Sequence, residues 1–251
     1  MELYNRGGHI CLVFRDLVTG DEAVQANQFL VFDNDHAALI DPGGELTYDR
    51  LFMAISDYTN ASKLDYIIAS HQDPDIVASL NRWLVGTDAR IVVPALWERF
   101  IPHFTRPVKI AGRVIAMPDE GMNLELGSIR LKALPAHFLH AEGNFQFYDP
   151  VSRILFSGDL GANLCPAADL DKPVTRLEEI LPVMDGFHKR YMNGNKACRF
   201  WANMVRELDI SMIVPQHGRA LEGAAIGEFI DYIENLQCGL DLFTQDNYRI
   251  P

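Results

Sequence analysis

The heptapeptide Ser70-His71-Gln72-Asp73-Pro74-Asp75-Ile76 restricts the chain more than any other stretch. A histidine and two carboxylates recur at every second residue, and Pro74 biases Asp73 away from the helical region. In extended backbone alternate side chains face one way, so His71, Asp73 and Asp75 converge on one point. The preceding residues, Leu64-Asp65-Tyr66-Ile67-Ile68-Ala69, read as a buried strand. The following ones carry apolar side chains at 76, 77, 80, 83 and 84, a helical face. The trio thus sits on a strand-to-helix turn at the carboxyl end of a strand, where α/β sheets commonly place their sites. One nitrogen donor and two oxygen donors so close together make half of a metal site. The same residues also suit a plain helix start, with Asp75 as its cap.

A chain of 251 residues is long enough for one large domain over 1–251, which is the expectation here. No apolar run approaches a membrane span, and Met1-Glu2-Leu3-Tyr4-Asn5-Arg6 does not open a signal peptide. The net charge of −12 disfavours nucleic-acid partners, whose affinity comes from clustered Lys and Arg. Cys11, Cys165, Cys198 and Cys238 are scattered and form no CxxC pair. Buried free thiols in a reducing cytoplasm account for them, so a cytoplasmic protein is expected.

Residues 9–15, 27–32 and 36–40 read as strands, with a turn cluster at Asp33-Asn34-Asp35. Asp41-Pro42-Gly43-Gly44 ends the third, and a helix follows over 46–58. Strand 90–93 leads into a helix over 94–103 with Pro94 at its first position. From 107 to 134 β-prone runs alternate with turns; 144–149 and 153–157 form a hairpin-like pair. Helices are expected over 174–190, 195–209 and 224–241, and a late strand over 211–214. Each half opens with antiparallel-type strands and closes with strand–helix units. Two facing sheets with helices outside would bury that pattern.

Three more strand ends resemble the first. Leu134-Pro135-Ala136-His137 ends in a histidine, Ser157-Gly158-Asp159 in an aspartate and Pro215-Gln216-His217-Gly218 in His-Gly. Taken singly, each histidine suits a structural role and Asp159 a turn. Four such strand ends in one chain point to a shared site.

In the order HxDxD, AH, SGD, QHG, preceded by Asp41-Pro42-Gly43-Gly44, nearly the whole chain resembles the metallo-β-lactamase fold. That implies an α/β (α+β) protein, an αββα sandwich with a two-metal site on one edge. The usual hydrolase motif is HxHxDH. Here Asp73 stands where the second histidine is expected and Ile76 where the last one is. A carboxylate in the middle position resembles the flavodiiron proteins. The wording HQDPD, AHFLHAEGNF at 136–145 and YMNGNKA at 191–197 is closer to the oxygen-binding di-iron proteins, stand-alone relatives of the flavodiiron di-iron domain.

The resemblance implies two iron ions. His71, Asp73 and His137 would hold one, Asp75 and His217 the other, with Asp159 bridging. Three carboxylates are hard donors that suit iron, whereas a zinc hydrolase would be richer in nitrogen; zinc remains the alternative metal. Ile76 would leave a coordination position open, and His140 would stand beside the ligand. Asn144, Asn195 and Lys196 fall in the resembling stretches without a readable role, and His9, His36, His103 and His188 read as surface or packing residues.

The implied function is dioxygen binding, as sensor, carrier or scavenger, with nitric oxide a second candidate ligand. No flavin is expected in this chain, so reduction of dioxygen would need an external electron donor, and a signal an external partner. A homodimer is implied by the resemblance alone. The other reading is a metal-dependent hydrolase of thioesters, lactones or phosphoesters; Asp73 and Ile76 count against it.

Overall fold

The first sheet runs in sequence order: β1 (Glu2–Arg6), β2 (His9–Phe14), β3 (Gln28–Asp33), β4 (His36–Ile40), β5 (Leu64–Ile68), β6 (Arg90–Pro94) and β7 (Val114–Met117). Its first four strands are antiparallel, and β4 to β7 are parallel. The second holds β8 (Met122–Leu126), β9 (Ile129–Pro135), β10 (Phe145–Asp149), β11 (Ile154–Phe156), β12 (Met212–Val214) and β13 (Leu221–Glu222), ordered β13-β12-β11-β10-β9-β8. Only β11 and β12 pair in parallel there. This is a computed structural model, and it describes residues 1–20, 23–106 and 110–251.

Strand alternation builds the layers. In β3, Phe29 and Val31 point between the sheets, where Phe29 meets Phe156 of β11 at 4.9 Å. Leu30 points the other way, onto α1 (Glu45–Ser56), α2 (Pro74–Val77) and α3 (Leu80–Gly86). On the far side of the second sheet, Tyr148, Leu155 and Ile213 pack against helices that follow the short α4 (Ala95–Glu98): α5 (Leu181–Tyr191), α6 (Asn195–Val205) and α7 (Ala224–Asn235). The result is the expected αββα sandwich. Among the described residues, no helix is long and apolar enough to cross a membrane.

Several expected helices are shorter or broken, each for a local reason. The helical face after the motif is split into α2 and α3, because the Ser79 hydroxyl donates to the carbonyl of Gly43 and ties the break to the Asp41 turn. Pro94 closes β6, and α4 with a 3₁₀ turn at Ile101–His103 replaces one helix. Pro182 fixes the start of α5, leaving a 3₁₀ turn at Leu177–Glu179 before it. The last helix stops at Asn235, and a 3₁₀ turn at Gly239–Leu242 follows. The run expected from 107 begins at residues outside the described set. The half-exposed edge strand β1 and two-residue β13 carry no pattern that announces them.

A candidate metal centre

The parallel strands β5, β11 and β12 end at one edge of the sandwich, and the loop from β9 to β10 reaches the same edge. His71, Asp73 and Asp75 follow β5, Asp159 follows β11 and His217 follows β12. Asp73 holds the N-cap position of α2 in extended backbone, yet its side chain makes no cap hydrogen bond. Asp75 does not cap either. Both carboxylates turn into the site.

Asp159 is the centre of the arrangement. Its Oδ2 lies 3.7 Å from His71 Nε2 and 3.3 Å from His140 Nε2. Its Oδ1 lies 3.3 Å from His217 Nε2. Asp73 Oδ2 is 2.8 Å from His140 Nε2 and 3.8 Å from His71 Nε2. Asp75 Oδ2 stands 3.4 Å from His217 Nε2 and accepts from Gln216 Nε2 at 3.2 Å. Two donor groups therefore face each other across one carboxylate: His71, Asp73 and His140 on one side, Asp75 and His217 on the other. His71 Nε2 and Asp159 Oδ1 are buried and lack hydrogen-bond partners. Such orphaned donors and acceptors are costly unless another species satisfies them.

His137, expected as a ligand, is not among them. The turn after β9 places Phe138 at φ 64° and His140 at φ 76°, both left-handed, and closes with Phe138 N donating to Ala141 O at 2.8 Å. These reversals swing His137 away, where its Nε2 donates to the carbonyl of Asp119 at 2.8 Å and its ring meets Phe145 edge-on at 5.1 Å. They bring His140, expected only beside the site, among the carboxylates. Asn144 secures the loop by donating to the carbonyl of Leu139 at 2.7 Å. Ile76 offers no donor and is fully buried under the outer helices.

Residues behind the donors fix their rings. Ser70 Oγ donates its single proton to Asp41 Oδ2 at 3.0 Å, so it accepts from His71 Nδ1, also at 3.0 Å. When the ring is neutral, as a metal ligand must be, His71 Nε2 is thereby left with a lone pair toward the site. His217 Nδ1 donates to the carbonyl of Gln25 at 2.7 Å, with the same consequence. His188, expected as a surface or packing residue, is buried and accepts from Gly161 N at 2.8 Å, steadying the loop after Asp159. Burial holds its pKa down to about 4, so the acceptor nitrogen stays unprotonated. Gly218 lies at φ +92°, and a Cβ there would collide with the carbonyl of Asn163. Only glycine suits that turn beside His217.

Three carboxylates packed together set the electrostatics. Burial opposes the charge on Asp159, but the facing imidazoles of His217 and His71 hold its pKa far below the usual range. Burial likewise disfavours a charged His217, but Asp159 outweighs it and raises its pKa to about 9. His71 is raised in the same way, against burial, by Asp159 and then Asp41. The hydrogen bond from His140 lowers Asp73, while burial raises Asp75. Burial pushes Asp41 up to about 6. Histidine protons thus supply the positive charge this cluster demands. Cations that displace them would release protons, as metal binding to imidazole does.

The family described as ODP family beta lactamase matches residues 24–218. The apo state of chemotaxis sensor ODP from T. denticola is 37% identical, covers 99% of this chain and 98% of that one, and superposes with a TM-score of 0.85. A structure described as the peroxy diiron species of chemotaxis sensor ODP is 38% identical, with 99% of each chain covered and a TM-score of 0.87. The coenzyme F420H(2) oxidase of Methanothermobacter thermautotrophicus is 29% identical over 210 residues, 77% of this chain and 50% of that protein. The chain spans half or less of the length of the curated relatives it matches.

Proposed function

This chain belongs to the ODP family of beta lactamases, and from that premise we propose that it holds two iron ions and binds dioxygen at them. The observation that carries the reading is the two-sided placement of Asp159, whose Oδ2 faces His71 and His140 while its Oδ1 faces His217. On this reading His71, Asp73 and His140 hold one ion, Asp75 and His217 the other, and Asp159 spans both. Three imidazoles and three carboxylates fit iron, since carboxylates are hard donors and imidazole suits iron as well as zinc.

When bound, a ferrous pair supplies the reducing electrons and open coordination positions that dioxygen requires. The chain's own residues do the rest. Ser70 and the carbonyl of Gln25 hold the two imidazoles with their lone pairs inward. Gln216 steadies Asp75. Phe187 and Tyr191 stack at 4.8 Å and Tyr191 meets the edge of His140 at 5.4 Å, so they wall the site on that side. Ile76 brings no donor next to Asp75, which leaves the second ion with three protein ligands. The same donor set speaks against a hydrolase, because Asp73 and Ile76 replace nitrogen donors.

Electrons for repeated turnover, or a signal, would pass through a separate protein. The homodimer proposal draws support from exposed Phe138, Phe200 and Leu240 around one cavity. Zinc binds nitrogen–oxygen sites more tightly than ferrous iron, so it would compete during expression. The test is dioxygen uptake by iron-loaded, reduced protein in a closed electrode cell. About one dioxygen consumed per iron pair is expected. Uptake no greater than that of Asp159→Asn protein treated identically would contradict the reading.

A further inference from the structure

Cys198 and Cys238, forty residues apart in sequence, meet in the fold with their sulfurs 3.7 Å apart. Both are fully buried. Cys198 lies in the first turn of α6, and Cys238 immediately precedes the 3₁₀ turn Gly239–Leu242. We propose that they are a peroxide-oxidisable dithiol that closes to a disulfide behind the loop carrying His140. An S–S bond is about 2.0 Å long, so closure asks for roughly 1.7 Å of approach between sulfurs already in van der Waals contact. Cys11 lies between the sheets and Cys165 is half-buried in a separate loop, so neither competes for the partner.

The surroundings tie the two thiols to the site loop. The Asp241 carboxylate accepts from Asn195 N at 2.6 Å and from Cys238 N at 3.1 Å. Leu240 N donates to Asn193 O at 2.8 Å, and Asn193 N donates to Phe138 O at 3.0 Å. Phe138 is two residues from His140, and Tyr191 packs on the His140 ring. The stretch YMNGNKA, left without a role by the metal donors, is this connection. A shift of α6 against the 238–242 turn is therefore transmitted to the loop that presents His140.

A cavity of about 720 Å³ opens beside residues that flank the pair, though neither sulfur lines it. Ala197, Trp201, Leu240 and Asp241, close in sequence to the two cysteines, form part of its wall. Hydrogen peroxide, small and uncharged, suits thiols enclosed in this way. Either sulfur can donate to the other, and the step is the same whichever attacks first; take Cys238 as the attacking thiolate. Its sulfur attacks the O–O bond, which breaks to leave Cys238 sulfenic acid and water. Cys198 then attacks that sulfur, the S–S bond forms and a second water departs. The two thiols give up two electrons, and the peroxide oxygens receive them. Nothing in this chemistry draws on the iron reading, so the two proposals fail separately.

The test exposes the purified chain, metal as isolated, to hydrogen peroxide, removes the peroxide, blocks free thiols in denaturant and digests with trypsin. Cleavage after Lys196, Arg199, Arg219 and Arg249 isolates Cys198 in residues 197–199 and Cys238 in residues 220–249. A linked pair of these peptides, lighter by two hydrogens and separated by reductant, is expected in more than half of the chains. Oxidised Cys165 alongside blocked, unlinked Cys198 and Cys238 would overturn the proposal. Amide exchange tests the connection: at Phe138 and Asn193 a change of at least several-fold on oxidation is expected. Unchanged exchange there, in a chain shown to carry the disulfide, would overturn the link to the His140 loop.

Discussion

Replacing His140 and His137 separately by alanine separates the two histidines that sequence places so close together. His137 makes one hydrogen bond, to Asp119 O, and one edge-on contact with Phe145. Losing a net hydrogen bond costs about 1 kcal/mol and losing an aromatic contact about 1 kcal/mol more. For a chain of this size a loss of ~2 kcal/mol lowers the melting temperature by ~4–8 °C. His137→Ala should therefore melt earlier yet keep its metal. His140 stands 2.8 Å from Asp73 and 3.3 Å from Asp159, so His140→Ala removes a direct donor. Changes merely behind a ligand cost about 10–100-fold in metal affinity, so the loss here should exceed ~100-fold. That corresponds to more than about 2.7 kcal/mol of binding free energy. The assay is anaerobic competition with a calibrated chelator, paired with melting of the metal-free proteins. Metal lost from His137→Ala but retained by His140→Ala would refute the assignment.

Ser70→Ala leaves His71 Nδ1 and Asp41 without their shared partner, and should weaken metal binding by ~10–100-fold without altering the number of ions held at saturation; titration with ferrous iron reads both. Gly218→Ala forces a Cβ into the carbonyl of Asn163, and should lower stability by more than ~3 kcal/mol, seen in chemical denaturation. At the opposite end of the sandwich, buried His9 links Asp149 at 2.8 Å and Asp33 at 3.4 Å. Burial opposes its charge, but Asp149 wins and raises its pKa above 6.5, so its stabilisation is complete below pH 6.5 and fades as pH rises through the folded value. His9→Gln should cost ~3–5 kcal/mol at pH 6 and clearly less at pH 9; equal losses at both pH values would show that His9 carries no charge in the fold.

Much of this was legible in sequence because strand ends announce themselves. Ile67-Ile68 before His71, Leu155-Phe156 before Asp159 and Ile213-Val214 before His217 are short apolar runs that stop at a polar donor, and parallel strands bring their carboxyl ends to one edge. His140 was not legible in the same way. Its place depends on left-handed backbone at Phe138 and His140, which non-glycine residues seldom adopt and no residue type there predicts. A second histidine three residues after the first was the available signal. Asp41, Ser70, Gln25 and His188 act through hydrogen bonds between segments distant in sequence, and spacing carries no trace of such contacts. The meeting of Cys198 with Cys238 is hidden for the same reason.

Metal content of protein purified anaerobically from cells grown with ample iron tests the central claim most directly. Elemental analysis should find about two irons per chain, falling to well under one in Asp159→Asn, because a single carboxylate faces both donor groups. Two zincs per chain that persist through growth in excess iron, or little metal of any kind, would contradict a di-iron centre at this edge of the fold.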